Sequence, residues 1–230
     1  MTGTIDFTNC KKILGRAYNG ANGKKIAVEY NGREYMLKFP PFGATKPTEL
    51  SYTNSCISEH IASSIFNMVG IKAQETLLGN FDRHNGNWGF LYDDSTKEAS
   101  LAPIYDCGSC LLPQADERIM EQALENEDVM NARIYQFPTS AIKLDGRKIN
   151  YYDFLMSAEE PECNAAIQRM VPKIDLEQIK GFIDEVAFIT ELQKNFYTRY
   201  ITARFEQILK PAYDMVLLKK QEPSEPNMTM

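Results

Sequence analysis

The chain has 230 residues, 43% of them hydrophobic and 24% charged, enough for one sizeable core or for a small lobe and a larger one. A net charge of −6 and a pI near 5.1 argue against the basic surface on which nucleic-acid affinity rests. No apolar run approaches the length of a membrane span, and Met1 to Asp6 lacks the charged and apolar regions of a signal peptide. The expected setting is therefore a reducing cytoplasm, with neither membrane nor nucleic acid as a direct partner; secretion as an effector stays open.

Residues 1–50 read as strands and turns. Lys12-Ile13-Leu14-Gly15 leads through a segment containing Gly20 and Gly23 to Ile26–Tyr30, an Asn31-Gly32 turn and Glu34–Phe39. Asn-Gly between two alternating apolar runs is a strong hairpin signal. Gly20 and Gly23 permit close approach of backbone N–H groups to phosphates, and equally suit a flexible turn. Lys38 ends its strand as Met36-Leu37-Lys38-Phe39, where a kinase places the lysine that reaches nucleotide phosphates.

After the connector Pro40 to Pro47, Thr53 or Asn54 caps a helix expected to run to about Met68 and to close at Gly70, with Ile57, Ile61, Ile65 and Phe66 as its buried stripe. Glu59 on this helix can pair with Lys38 or stand as an exposed glutamate; the spacing leaves both open. Ile71 to Gly79, nine residues reaching about 30 Å, is room for one strand.

The densest chemistry follows. Asn80-Phe81-Asp82-Arg83-His84-Asn85-Gly86-Asn87 places an asparagine five residues after an aspartate, and Ala102-Pro103-Ile104-Tyr105-Asp106-Cys107-Gly108 brings a second aspartate at the end of an apolar strand. This is the spacing of kinase-type phosphoryl-transfer sites: Asp82 to accept or orient a hydroxyl proton, Asn87 and Asp106 to offer hard oxygen ligands to Mg²⁺ on the ATP phosphates. Asx-rich segments with glycine are also ordinary turns. A hairpin from Phe90-Leu91-Tyr92 through Asp93 to Thr96 and back along Ala99 to Tyr105 carries one aspartate towards the other.

The five cysteines are odd in number and scattered. Cys107-Gly108-Ser109-Cys110 lacks the second ligand pair that zinc requires, since His60 and His84 stand apart, so packed thiols are expected there. Beyond them the pattern is helical: Asp116 to Leu124, Tyr152 to Ser157, Asn164 to Met170, Asp175 to Val186 and Thr190 to Leu209. The last carries Leu192, Phe196, Tyr200, Ile201, Phe205 and Ile208 as a core stripe, with Pro211 as a stop or kink.

These residues, in this order, resemble the HipA-like serine/threonine kinases, and within them the shorter bacterial CtkA-type kinases. The resemblance rests on Tyr35 to Pro40, Ser55 to Glu59, Gly70 to Thr76, Gly79 to Phe90, Ala102 to Ser109 and Arg133 to Ser140. It implies an α+β, kinase-like two-lobe fold: residues 1–79 a β-rich N-terminal lobe with one helix, 80–215 the catalytic loop, hairpin and helical lobe, 216–230 a flexible tail. It implies Lys38 on the nucleotide phosphates, Asp82 as base with Asn87 and Asp106 completing the catalytic set, and Mg²⁺ on Asn87 and Asp106; Glu59, Gly20, Gly23 and His84 are the further candidates for the nucleotide site. Substrates would be protein hydroxyls, including the chain's own, and some relatives are toxins restrained by an antitoxin protein.

One departure stands out. Gly79 runs straight into Asn80, where the family has the hinge that holds adenine and the first helices of the large lobe. Losing the adenine slot would lower ATP affinity by a few powers of ten, and a less supported loop would slow turnover further. A non-catalytic remnant acting through protein contacts is therefore the second reading. Metal-dependent phosphoester hydrolysis by Asp82, His84 and Asp106, which leaves Lys38 idle, is the third.

Overall fold

A computed structural model describes residues 6–16, 25–39, 54–69, 75–82, 89–102, 104–136 and 142–221. The N-terminal part is an antiparallel sheet in the order β1 (Lys11–Ile13), β2 (Lys25–Tyr30), β3 (Arg33–Lys38). Asn31 and Gly32 both take positive φ, 50° and 73°, the two-residue turn whose twist matches a hairpin, and they set the register Ile26↔Leu37 and Lys25↔Lys38. Ala27 and Val28 are the buried residues of this sheet. On the face that Val28 shares with its partner Tyr35, the rings of Phe7, Tyr30 and Tyr35 cluster with centroids 5.2 to 6.3 Å apart.

Helix α1 (Ser55–Val69) buries Ile61, Ile65 and Phe66 as expected, while Ile57 is only half-buried and Ala62 and Val69 complete the stripe. Asn54 Nδ2 donates to the Ala115 carbonyl at 2.8 Å, pinning the helix start to the segment beyond Asp106; Thr53 lies outside the described residues. Gly70, and with it the expected closure, lies outside the described residues.

The expectation of a strand before the catalytic loop is corrected: Glu75–Leu78 form a helical turn, α2. Alternation would expose every second side chain, yet the neighbours Leu77 and Leu78 are both fully buried, which a turn permits and a half-exposed strand does not. The hairpin is present as β4 (Phe90–Asp93) and β5 (Glu98–Leu101), paired Phe90↔Leu101. It ends at Leu101, so Asp106 stands in no strand and has left-handed φ of 58°, a correction to its expected place at a strand end.

The remainder is helical: α3 (Glu117–Glu125), α4 (Glu127–Asn131), a π-helical turn Ala132–Gln136, a two-residue ribbon β6 (Lys143–Leu144) and β7 (Arg147–Lys148), α5 (Tyr151–Ser157), α6 (Pro161–Met170), α7 (Leu176–Glu185) and α8 (Glu191–Arg204). Caps fix several of the starts: Asp116 accepts from Ile119 N–H, Asp175 from Gln178 N–H, and Thr190 with Gln193 forms a capping box. The stripe on α8 is core as expected, Phe196, Tyr200 and Ile201 being buried against α3, α7 and α2.

Pro211 neither stops nor ends this helix. A π-helical turn, Phe205–Leu209, precedes it and α9 (Lys210–Gln221) follows. A proline inside an α-helix lacks one N–H and its ring clashes one turn back; the wider turn just ahead of it takes up that mismatch. The tail expected from residue 216 is likewise corrected, since Val216 is buried and α9 continues to Gln221; 222–230 lie outside the described residues.

On α1, the ring of His60 packs 5.1 Å from Phe188 and 5.9 Å from Phe182. Burial there holds its pKa below the ordinary 6.5. The unfolded chain therefore takes up this proton first, and stability falls as pH drops through about 6.5 towards the lower folded value. Thermal melts between about pH 7.5 and 5 should show a loss that His60→Phe removes. An equal slope in both proteins would mean that His60 is not the titrating group.

Candidate active site

Three of the residues singled out in the sequence meet where β3, α1 and the Asp106 segment converge. Lys38, the last residue of β3, places its Nζ 3.2 Å from Glu59 Oε2 and 3.8 Å from Asp106 Oδ1. The other oxygen of Glu59, Oε1, accepts the backbone N–H of Cys107 at 2.8 Å. One carboxylate thus joins the strand lysine to the residue after Asp106, and the open choice for Glu59 is decided in favour of the pair. Gly108 makes the approach possible: a Cβ at that position would stand 2.9 Å from Lys38 Nζ and 3.3 Å from Glu59 Oε2.

Asp106 is more than half exposed, with a carboxylate that a hard cation can reach, so the residue present fits a divalent metal. Its left-handed backbone turns the chain at once into Cys107 and Cys110, both fully buried and neither in a disulfide. They pack in the core, and among the described residues no group of three His, Cys, Asp or Glu gathers at them.

Asp82 is exposed at the start of the other motif, its backbone N–H donating to Asn80 Oδ1 at 3.2 Å. Gly20, Gly23, His84 and Asn87 lie outside the described residues.

What holds the Asp82 segment is a set of residues that the motifs did not reveal. Leu78 O accepts from Leu111 N–H at 2.8 Å, which ties the segment to the chain beyond Asp106. Tyr151 Oη donates to the Asn80 carbonyl. Arg204, fully buried, donates from Nε to the Thr76 carbonyl at 2.7 Å and from Nη1 to Ile134 O at 2.8 Å, and its guanidinium lies 5.5 and 5.8 Å from the ring centres of Tyr200 and Tyr151. Gly79, φ 62°, passes directly over the Tyr200 hydroxyl, where no side chain fits. The signal for Arg204 was in the sequence: a charged residue falls on the apolar face of α8, a position arginine rarely takes without a specific task.

No family model matches the chain. It is 36% identical to the serine/threonine-protein kinase CtkA of Helicobacter pylori, over an alignment covering 97% of this chain and 93% of that protein. The chain belongs to the CtkA-type serine/threonine kinases. The crystal structure of a Helicobacter pylori proinflammatory kinase CtkA superposes on this CtkA-type chain with a TM-score of 0.87 at 34% identity, covering 96% of it and 100% of that kinase chain. The expected kinase-like α+β fold is therefore present. The sequence alignment spans 303 positions against 230 residues, so residues inside the Helicobacter kinase have no counterpart here.

Two substitutions separate the roles of these contacts. Gly108→Ala should displace the flexible end of Lys38 and lower phosphotransfer while moving the melting temperature little. Arg204→Met should strand two buried carbonyls, at about 1–3 kcal/mol each, and shift the denaturant midpoint strongly. Equal losses of stability in the two variants would contradict this division.

Proposed function

We propose that this CtkA-type kinase transfers the ATP γ-phosphate to serine or threonine hydroxyls of proteins through Lys38, Asp82, Asn87 and Asp106. The observation that carries the proposal is the Lys38 ammonium set between Glu59 and Asp106, at 3.2 and 3.8 Å. In protein kinases the lysine of the third strand must be held by a helix glutamate before it can serve the phosphates, and Lys38 and Glu59 occupy those two positions.

In the proposed reaction Asp82 takes the proton of the attacking hydroxyl as its oxygen bonds to the γ-phosphorus. The bond from that phosphorus to the β–γ bridging oxygen breaks, and ADP leaves. Lys38 supports the charge on the phosphates, and Glu59 keeps its ammonium from collapsing onto Asp106. Mg²⁺ bound through Asn87 and Asp106 would neutralise charge on the same phosphates. Gly20 and Gly23 are proposed to approach the nucleotide by their backbone, with His84 beside it.

The missing positions are proposed to fall between Gly79 and Asn80, where the adenine hinge would be, so that ATP is held mainly by its phosphates. The HipA-like resemblance further supports autophosphorylation, a toxin-type role with an antitoxin-like protein partner, and a cytoplasmic site of action. Among the described residues no helix is long and apolar enough to cross a membrane.

Incubation with γ-labelled ATP, Mg²⁺ and a generic protein substrate tests the reading. Label should appear on serine or threonine, fall at least about a hundredfold in Lys38→Met and Asp106→Ala, and fall less in Glu59→Gln, which keeps an oxygen for the Cys107 amide. Melting-temperature gain with ATP but no label transfer under any condition would favour the non-catalytic remnant.

A further inference from the structure

Away from the active site, the helical lobe contains a cavity of about 170 Å³ between α5, α6 and the π-helical turn before α9. Its walls are almost wholly apolar: Phe154 and Leu155 on one side, Ala166 and Met170 on another, Leu209 below, with Ile142, just ahead of β6, at the rim. Native cores are packed with few voids larger than a water molecule, and an apolar space of this kind offers water no partners. The pocket is partly open to solvent, and its volume matches that of an engineered apolar cavity of about 150 Å³ that binds benzene, room for one aromatic ring.

The lining chemistry selects further among apolar ligands. The rings of Tyr151 and Phe154 offer edges and faces, and the sulfurs of Cys163 and Met170 make favourable contacts with an aromatic ring. Burial pushes the Cys163 thiol above its ordinary pKa, so it lines the cavity as a neutral group.

Two of the lining residues also hold the catalytic segment. Thr76 gives its carbonyl to Arg204, and Tyr151 donates to the Asn80 carbonyl, two residues ahead of Asp82. Leu209 belongs to the same π-helical turn that begins directly after Arg204, and such turns recur at functional sites.

We propose that this cavity is a binding site for a small aromatic molecule, and that its occupancy stiffens the segment from Thr76 to Asn80 through Tyr151 and Arg204. The proposal does not depend on phosphotransfer, so it can fail or stand separately from the kinase reading.

The test uses toluene as probe on the full chain. In saturation-transfer NMR, toluene should give signals that saturate with concentration, raise the melting temperature, and slow amide exchange at residues 76–80. Ala166→Leu, which fills the space, should abolish all three effects and melt no lower than the parent without toluene. Where Ala166→Leu does not fold, Cys163→Ala serves: the enlarged cavity should keep the toluene effects and extend them to naphthalene. Absence of a toluene signal in the parent, an unchanged signal in Ala166→Leu, or no gain of naphthalene binding in Cys163→Ala would each overturn the site. Binding without slower exchange at 76–80 would overturn the coupling.

Discussion

The Glu59 carboxylate, with the Lys38 ammonium on one oxygen and the Cys107 amide on the other, is the constraint from which the geometry of the active site follows. Opposite charges about 4 Å apart attract by about 4 kcal/mol in the effective dielectric of a partly buried site, before desolvation is charged against them. Lys38 is drawn by two carboxylates at once, and the nearer one belongs to a helix that is anchored elsewhere. Because Glu59 also grips the backbone after Asp106, strand, helix and the Asp106 carboxylate cannot move independently. Gly108 is the steric condition for this: any larger residue would occupy the volume in which the ammonium sits.

Beneath the Asp82 segment a second constraint operates by different means. Arg204 is a buried cation whose partners among the described residues are carbonyls and aromatic faces. Such a charge is costly to bury, and among the described residues Nη2 has no hydrogen-bond partner, so the bonds to Thr76 and Ile134 offset only part of that cost while fixing Thr76 and, through Gly79 and Tyr151, Asn80. Burial beside it also raises the pKa of the Tyr200 phenol, which stays neutral and leaves the guanidinium as the charge of that site. The two constraints meet at Leu78 and Leu111, whose backbone bond joins the segment before Asp82 to the segment after Asp106.

Much of this was legible in the sequence for stated physical reasons. Asn31-Gly32 specified a hairpin because only such residues accept two successive positive φ values, and Lys38 then had to emerge at its end. Thr190, Asp175 and Asp116 announced helix starts through the orphan N–H groups they satisfy. Less legible were features set by long-range packing. The segment before the catalytic loop was read as extended from its length, whereas burial of Leu77 and Leu78 on the α8 floor closes it into a turn. Asp106 was assigned to a strand because the apolar run before it is continuous; its left-handed backbone follows from the buried Cys107 and Cys110 just behind. Pro211 was read by its local effect on an α-helix, and periodicity alone does not reveal a π-helical turn that accommodates it. The pairing of Glu59 needed a residue nearly fifty positions away to be placed first.

The bond from Arg204 to Thr76 spans 128 positions of chain, and the latter residue lies in the short turn that leads into the Asp82 loop. On a ribosome the amino-terminal sheet can assemble as it emerges, since its strand pairings are local. The Asp82 segment cannot: the arginine that holds its lead-in lies 128 positions further on, so the nascent chain must carry this region unsettled until that part of α8 has emerged.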